Sequence, residues 1–282
     1  KPFLLDTPKR TIRLAGRTLI MGVINMTPDS FSDGGAIADA ETGLRHAVTL
    51  IGEGADILDV GGESSRPGAR PVPLREELRR VVPLIRLIAR ETDVPVSIDT
   101  VKAEVAAQAI DAGAEIVNDI SALRGDRKMA RVAADTGVPV ILMHMRGRPR
   151  TMQKGDLAYR SLLGEILRFL ADRVDQASAA GVSRDRIVID PGIGFGKSVE
   201  DNLRLLRHLE EFKVLGRPVC IGVSRKHFTG KITGVDRPDE RVEGTAAAVT
   251  AAILNGADIV RVHDVAVMKR VAAMADALRG NR

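Results

Sequence analysis

Polar side chains recur in this 282-residue chain at the ends of short apolar runs. Asn25 closes TLIMGVIN, Asp59 precedes GGESSRPG (61–68), and Asp99 closes PVSI. Asn118-Asp119, His144, and Asp190 before Pro191-Gly192 follow in the same way. Ser224-Arg225-Lys226 and then Arg261, His263 and Asp264 complete the series. Taken singly, each has an ordinary structural use, since Asp before Gly caps turns and Asn satisfies backbone groups. Together they hold a chemistry. Asp99, Asn118 and Asp190 can accept from and donate to a flat heterocycle edged with N–H and C=O groups. Arg261 and His263 stand two residues apart on one strand and share a face; with Arg66 they suit phosphate or pyrophosphate. Asn25 offers an oxygen that suits Mg2+ carried in by phosphates, because Mg2+ keeps several waters and needs few protein ligands.

Other strings fail on inspection. PGIGFGKS (191–198) begins with Pro191 where a phosphate-binding GxxxxGK[ST] loop needs glycine, and Lys197 takes the third glycine's place in GxGxxG. His144 and His263 lack metal-ligand spacing to a neighbouring His or Cys, and His144 reads as a satisfied core or rim histidine. Met143 and Met145 read as packing.

The elements that must position these groups follow from periodicity. Strand-length apolar runs lie at 18–26, 55–60, 95–98, 116–120, 138–143, 187–190, 217–223 and 259–263. Most are continuous Val/Ile/Leu runs, the pattern of parallel strands covered on both faces. Helical spacing fills 38–53, 74–91, 102–112, 128–136, 161–180, 199–215, 242–255 and 265–279. Gly54-Ala55-Asp56, Gly113-Ala114-Glu115 and Gly256-Ala257-Asp258 each stop a helix and lead into a strand. Eight βα units predict an α/β fold, a (β/α)8 TIM barrel of one domain over 1–282, with residues 1–17 as a strand or hairpin covering its floor. The long links, 27–37, 61–73, 144–160 and 225–241, all follow strands, so they gather at the barrel face where sites of this architecture lie.

Composition narrows the class. The chain is 44% hydrophobic and 28% charged, with no Trp and one Tyr, so aliphatic residues must fill the core. A net charge of +5 spread along the chain favours anionic ligands and argues against a nucleic-acid module. The single Cys220 precludes an intrachain disulfide and, with no signal-peptide pattern or bilayer-length apolar stretch, leads us to expect a cytoplasmic protein without membrane contact.

At these residues the chain resembles the dihydropteroate synthase family. NMTPDSFSDGG, DVGGESSRPGA, SIDT, NDI, LMHMRGRPRTMQ, DPGIGFGKS, GVSRKHF and RVHDV occur in order over nearly the full length. The resemblance implies condensation of 6-hydroxymethyl-7,8-dihydropterin diphosphate with 4-aminobenzoate, Mg2+ as cofactor, and a homodimer. It implies that Asp99, Asn118, Asp190 and Lys226 hold the pterin, with Arg261 flat against the ring. Asn25, Arg66, Arg261 and His263 would hold the diphosphate, Asn25 through the metal. Ser65, Arg66, Pro67, Phe195 and Ser224, with Phe31 and Asp33 from a lid loop, would form the aminobenzoate pocket. Asp99, Lys226 and Asp33 are the expected catalytic groups. Ser65 stands where the family commonly has Thr, and His227 where Ser or Arg is more usual. Two rivals share the pterin clamp: a folate-dependent methyltransferase, which leaves Arg66, Arg261 and His263 unexplained, and a catalytically silent pterin-binding paralogue, which should have lost lid or anion residues.

Overall fold

A computed structural model of the chain describes residues 3–14, 16–27 and 35–280. Two short strands, β1 (Phe3–Asp6) and β2 (Thr11–Leu14), pair antiparallel with Phe3 opposite Leu14. The repeating part begins with β3 (Leu19–Asn25), α1 (Gly35–Gly52), β4 (Ile57–Gly61), α2 (Leu74–Glu91), β5 (Val96–Asp99) and α3 (Ala103–Asp111). It continues through β6 (Ile116–Asp119), α4 (Met129–Thr136), β7 (Val140–Met143), α5 (Leu162–Ala179), β8 (Ile187–Asp190) and α6 (Val199–Arg207). β9 (Cys220–Gly222), α7 (His227–Thr233), α8 (Val242–Leu254), β10 (Ile259–Val262) and α9 (Val265–Arg279) complete it.

Eight strands pair in parallel in the order β8-β7-β6-β5-β4-β3-β10-β9. A parallel bridge between Ile189 and Val219 joins the two ends, so the sheet curls into the expected barrel. Side chains alternate across each strand. One set, including Ile20, Leu58, Ile98, Val117, Leu142, Ile189 and Val260, packs under the helices. The other set points inward and is layered. Its lower layer is apolar except for the buried Ser97 of β5: Met21, Ile57, Ile116, Ile141, Val188, Cys220 and Ile259 pack together with Leu5 and Leu14 of the hairpin. The hairpin therefore stoppers the barrel floor, as anticipated for the N-terminal segment. Two residues further along the same strands the inward positions turn polar, at Asp59, Asp99, Asn118, Asp190 and Arg261.

Helix ends follow the glycine signals. Gly54, Gly113 and Gly256 adopt φ of 101°, 121° and 101°, a left-handed conformation that suits glycine. The next amides then reach back five residues, Ala55 to Leu50, Ala114 to Ala109 and Ala257 to Ala252, each at 2.9 Å. This closes the helix and aims the chain into the next strand.

Two segments differ from the periodicity. The helix expected over 199–215 breaks at His208, and Leu209–Leu215 is a 3-10 helix. Leu209, Phe212 and Leu215 are three apart, so a three-residue turn brings all three onto the core side. The link 225–241 contains α7, too short to raise a periodic signal. No helix among the described residues is long and apolar enough to cross a membrane.

Candidate active site

The upper inward layer forms a connected polar wall. Asp59 is fully buried, and its Oδ2 accepts from Arg261 Nε at 2.6 Å and from Asn118 Nδ2 at 3.1 Å. Arg261 Nη2 donates to Asp99 Oδ2 at 2.8 Å. The register explains the meeting: β3 lies between β4 and β10, so Asp59 and Arg261 face each other across it inside the barrel. The other Asp59 oxygen, Oδ1, is buried without a protein partner among the described residues. Asp59 belongs to the site, although by sequence it stands out only as a strand end. Ile57/Asp59 repeats the inward i, i+2 step of Ile116/Asn118 and Val188/Asp190, and that phase was the available signal.

Asp190 closes the wall from β8. Its Oδ1 accepts from Gly192 N–H at 2.7 Å, and Lys226, Lys197 and Arg261 lie within electrostatic reach. Lys226 follows β9 and sets its ammonium 4.1 Å from the centre of the Phe195 ring. Phe195 is buried with Met143, Met145, Met152 and Ile120, so these methionines form the apolar backing of that ring. The four groups on which the sequence reading rests, Asp99, Asp190, Lys226 and Arg261, therefore share one mouth. Neighbours at the strand ends do other work. Asp119 holds the turn after β6 through the amides of Ser121 and Leu123, and Arg225 pairs with Asp264 at 2.6 Å.

Burial dominates the protonation of this wall. It pushes Asp99 up, against the pull of Arg261 and with the help of Asp59, Glu77 and Asp119. It pushes Asp190 up to about 6, against the Gly192 amide, Lys226, Lys197 and Arg261. Lys226 is lowered by burial and by Arg261, partly offset by Asp190 and Asp99, to about 8. Burial would lower Arg261 as well, but Asp59 and Asp99 outweigh it and hold the guanidinium charged.

The cationic rim is less uniform than its residue types suggest. His263 is lowered to about 3 by burial and then by Arg261, Arg225, Arg66 and Lys226. It is a neutral imidazole whose Nδ1 lies 3.0 Å from Ser224 Oγ, a hydroxyl that also accepts from the His263 amide. Ser224, expected at the aminobenzoate, is thus joined to His263. Arg66 is exposed on the β4–α2 link, with Ser65 and Pro67 beside it. That link is anchored at its ends. Lys102 bridges Glu63, at 2.5 Å, and the fully buried Glu77. Glu77 accepts from Thr100 Oγ1 at 2.7 Å, and Glu63 accepts from the Val72 amide at 2.9 Å. Phe31 and Asp33, and with them the expected lid, lie outside the described residues.

Asn25 ends β3 beside Gly61 at the same mouth. Among the described residues no group of three or more His, Cys, Asp or Glu could hold a metal ion. One neutral amide oxygen at an anion-favouring rim fits a cation that arrives with phosphate oxygens and keeps its water, and Mg2+ behaves so.

The chain is similar to known proteins over nearly its full length. The family model described as pterin binding enzyme matches residues 21–263, from the start of the barrel to His263. A dihydropteroate synthase of Synechocystis is 50% identical over 262 residues, covering 93% of this chain and 90% of that protein. The dihydropteroate synthase of Xanthomonas albilineans solved with 4-aminobenzoic acid superposes with a TM-score of 0.91 at 44% identity, covering 99% of each chain. Another structure from that organism, in complex with 7,8-dihydropteroate, superposes at 0.88 with 42% identity, covering 98% of this chain and 99% of the other.

Proposed function

This chain belongs to the pterin binding enzyme family, among the dihydropteroate synthases, and from that membership we propose the reaction its site performs. 6-Hydroxymethyl-7,8-dihydropterin diphosphate and 4-aminobenzoate condense to 7,8-dihydropteroate, with release of pyrophosphate. The observation that carries this reading is the convergence of a carboxylate, amide and lysine clamp with a cationic rim in one barrel mouth.

Each residue then has a task that its surroundings support. Asp190, ionised, accepts the exocyclic amine and a ring N–H of the pterin, and Lys226 donates to the pterin oxygen and ring nitrogen. Asn118, steadied by Asp59, and Asp99 line the rest of the ring. Arg261, gripped by two carboxylates, presents a rigid planar face for stacking. Arg66 supplies charge toward the diphosphate, and His263 supplies a neutral N–H donor. Asn25 would hold Mg2+, which when bound neutralises the charge gathering on the diphosphate. The aminobenzoate binds beside Phe195 and Ser224, with Ser65, Arg66 and Pro67 closing that side and Phe31 expected to join it.

The difficult event is heterolysis of the C–O bond, whose electron pair leaves with pyrophosphate. Asp99, with the expected lid residue Asp33, favours the cationic methylene left behind, and the arylamine nitrogen then forms the new C–N bond and sheds its proton to solvent. No strong base is required, since an arylamine is neutral and nucleophilic at neutral pH. Pyrophosphate release measured with diphosphate substrate and Mg2+ tests the reading. It is expected only when 4-aminobenzoate is present; release without it means hydrolysis, and none at all means a silent pterin binder.

The same reading includes a homodimer and a cytoplasmic location, which the buried, free Cys220 suits. α8 supports the dimer, being apolar nearly all round, with Ala247 and Leu254 exposed and Ala251 half-buried along one side. Ala251→Arg should convert a dimer to a monomer in light scattering, and an unaltered mass would exclude this face.

A further inference from the structure

Lys197, the lysine of the failed phosphate-loop string PGIGFGKS, is only 2% exposed. Its Nζ reaches three neutral acceptors: His144 Nδ1 at 2.9 Å, the Phe195 carbonyl at 3.1 Å and the His144 carbonyl at 3.5 Å. The imidazole accepts here because burial, then Lys197 and Arg124, push His144 down to about 2 and keep it neutral. No carboxylate forms an ion pair with Lys197 among the described contacts. An ammonium buried in this way costs stability, which points to a use.

Its place suggests the use. The turn around it passes through left-handed Gly192, Gly194 and Gly196, and a Cβ at Gly192 would stand 1.9 Å from the His144 carbonyl. Asn202 Oδ1 accepts from the Gly194 amide at 2.7 Å, and Tyr159 Oη donates to the Gly196 carbonyl at 2.9 Å. Asp190 enters this turn and Phe195 leaves it, with Lys197 tying the Phe195 carbonyl to the end of β7. Resting on the reading that Asp190 and Phe195 line the two substrate subsites, we propose that Lys197 is a positioning residue for both. Its hydrogen bonds hold the Phe195 turn in place, and its charge, in the turn that Asp190 enters, favours the ionised carboxylate for the pterin.

The charges around the pair favour this arrangement. Lys226 after β9, Arg261 on β10, Lys197 and the Gly192 amide all favour ionised Asp190, against its burial. Asp190 and Asp201 of α6 favour a protonated Lys197, while burial and Lys226 oppose it and bring it to about 7. The Cys220 thiol nearby on β9 is raised and stays neutral.

Binding of 6-hydroxymethylpterin, titrated calorimetrically from pH 5 to 9 in the full chain and in Lys197→Met, tests the charge. Loss of the cation should move the acid midpoint of binding up by about one unit. Affinity then falls about fivefold at pH 6 and stays near the parent value at pH 8. Uniform weakening with an unmoved midpoint would reduce Lys197 to packing and overturn that half of the proposal. The KM for 4-aminobenzoate should rise in Lys197→Met at every pH, and an unchanged KM overturns the half that concerns Phe195. Should Lys197→Met fail to fold, NMR of 13C-labelled lysines in the unsubstituted chain and in Asp190→Asn still decides. The Lys197 midpoint must fall when the carboxylate is neutralised, and an equal midpoint refutes the coupling. If Asp190→Asn binds the pterin as tightly as the parent at pH 7, the pterin subsite itself has been misplaced, whatever the lysine does.

Discussion

Asp190 and Lys226 are buried against their own ionisation, and this sets a pH window. With Asp190 at about 6 and Lys226 at about 8, both are charged chiefly between those values. Pterin affinity, followed by fluorescence quenching, should be greatest there and fall on either side. The same shift taxes folding. Asp190 titrates well above the ~3.9 of an unfolded aspartate, so between the two values the folded chain holds the extra proton. Stability from this group is therefore lost as pH rises through the window, by about 2–3 kcal/mol once pH 8 is reached. Asp190→Asn, which mimics the protonated form, should raise the melting midpoint at pH 8 by several degrees while abolishing pterin binding. A lower midpoint would contradict the assignment. Asp59 has a structural role, accepting from both Arg261 and Asn118. Asp59→Ala leaves a half-buried guanidinium with Asp99 alone and should cost up to about 3 kcal/mol in denaturant unfolding.

Among the elements, the β4–α2 link carries Ser65, Arg66 and Pro67, and its anchor is Lys102 between Glu63 and Glu77. Lys102→Met would leave both carboxylates without that cation and loosen the link. Steady-state kinetics should show a higher KM for 4-aminobenzoate with pterin affinity nearly unchanged, and an equal rise for both substrates would mean general unfolding. The strands and their polar ends were legible in the sequence because strands covered on both faces read as continuous apolar runs, which Asp99, Asn118, Asp190 and Arg261 visibly interrupt or end. The break at His208 was not, because Leu209, Phe212 and Leu215 also fit a helical stripe over so short a span. Nor was the neutrality of His263, which depends on burial and on cations from its own strand and from the ends of β4 and β9, assembled only when the barrel closes. Lys197 was hidden for a related reason: a lysine in a glycine-rich link reads as exposed until the turn is seen to fold around it.

On the scale of the whole molecule, the barrel is filled in two storeys, an apolar plug below and a polar chamber above. Leu14, 5% exposed, belongs to the plug. Leu14→Asp buries a charge there and should lower the melting midpoint by several degrees, with kcat at 25 °C unchanged in the surviving fold. A fall in kcat without loss of stability would imply that the floor communicates with the chamber. The stopper also decides which way the chain's extremities leave. The hairpin lies beneath the barrel, and the last turn of α9 returns to the same end, where Asp276 accepts from the Thr18 amide at 2.7 Å. A tether or fusion partner attached near residue 3 or residue 280 would thus project from the underside. Surface immobilisation through either end should leave substrate traffic at the open face unhindered.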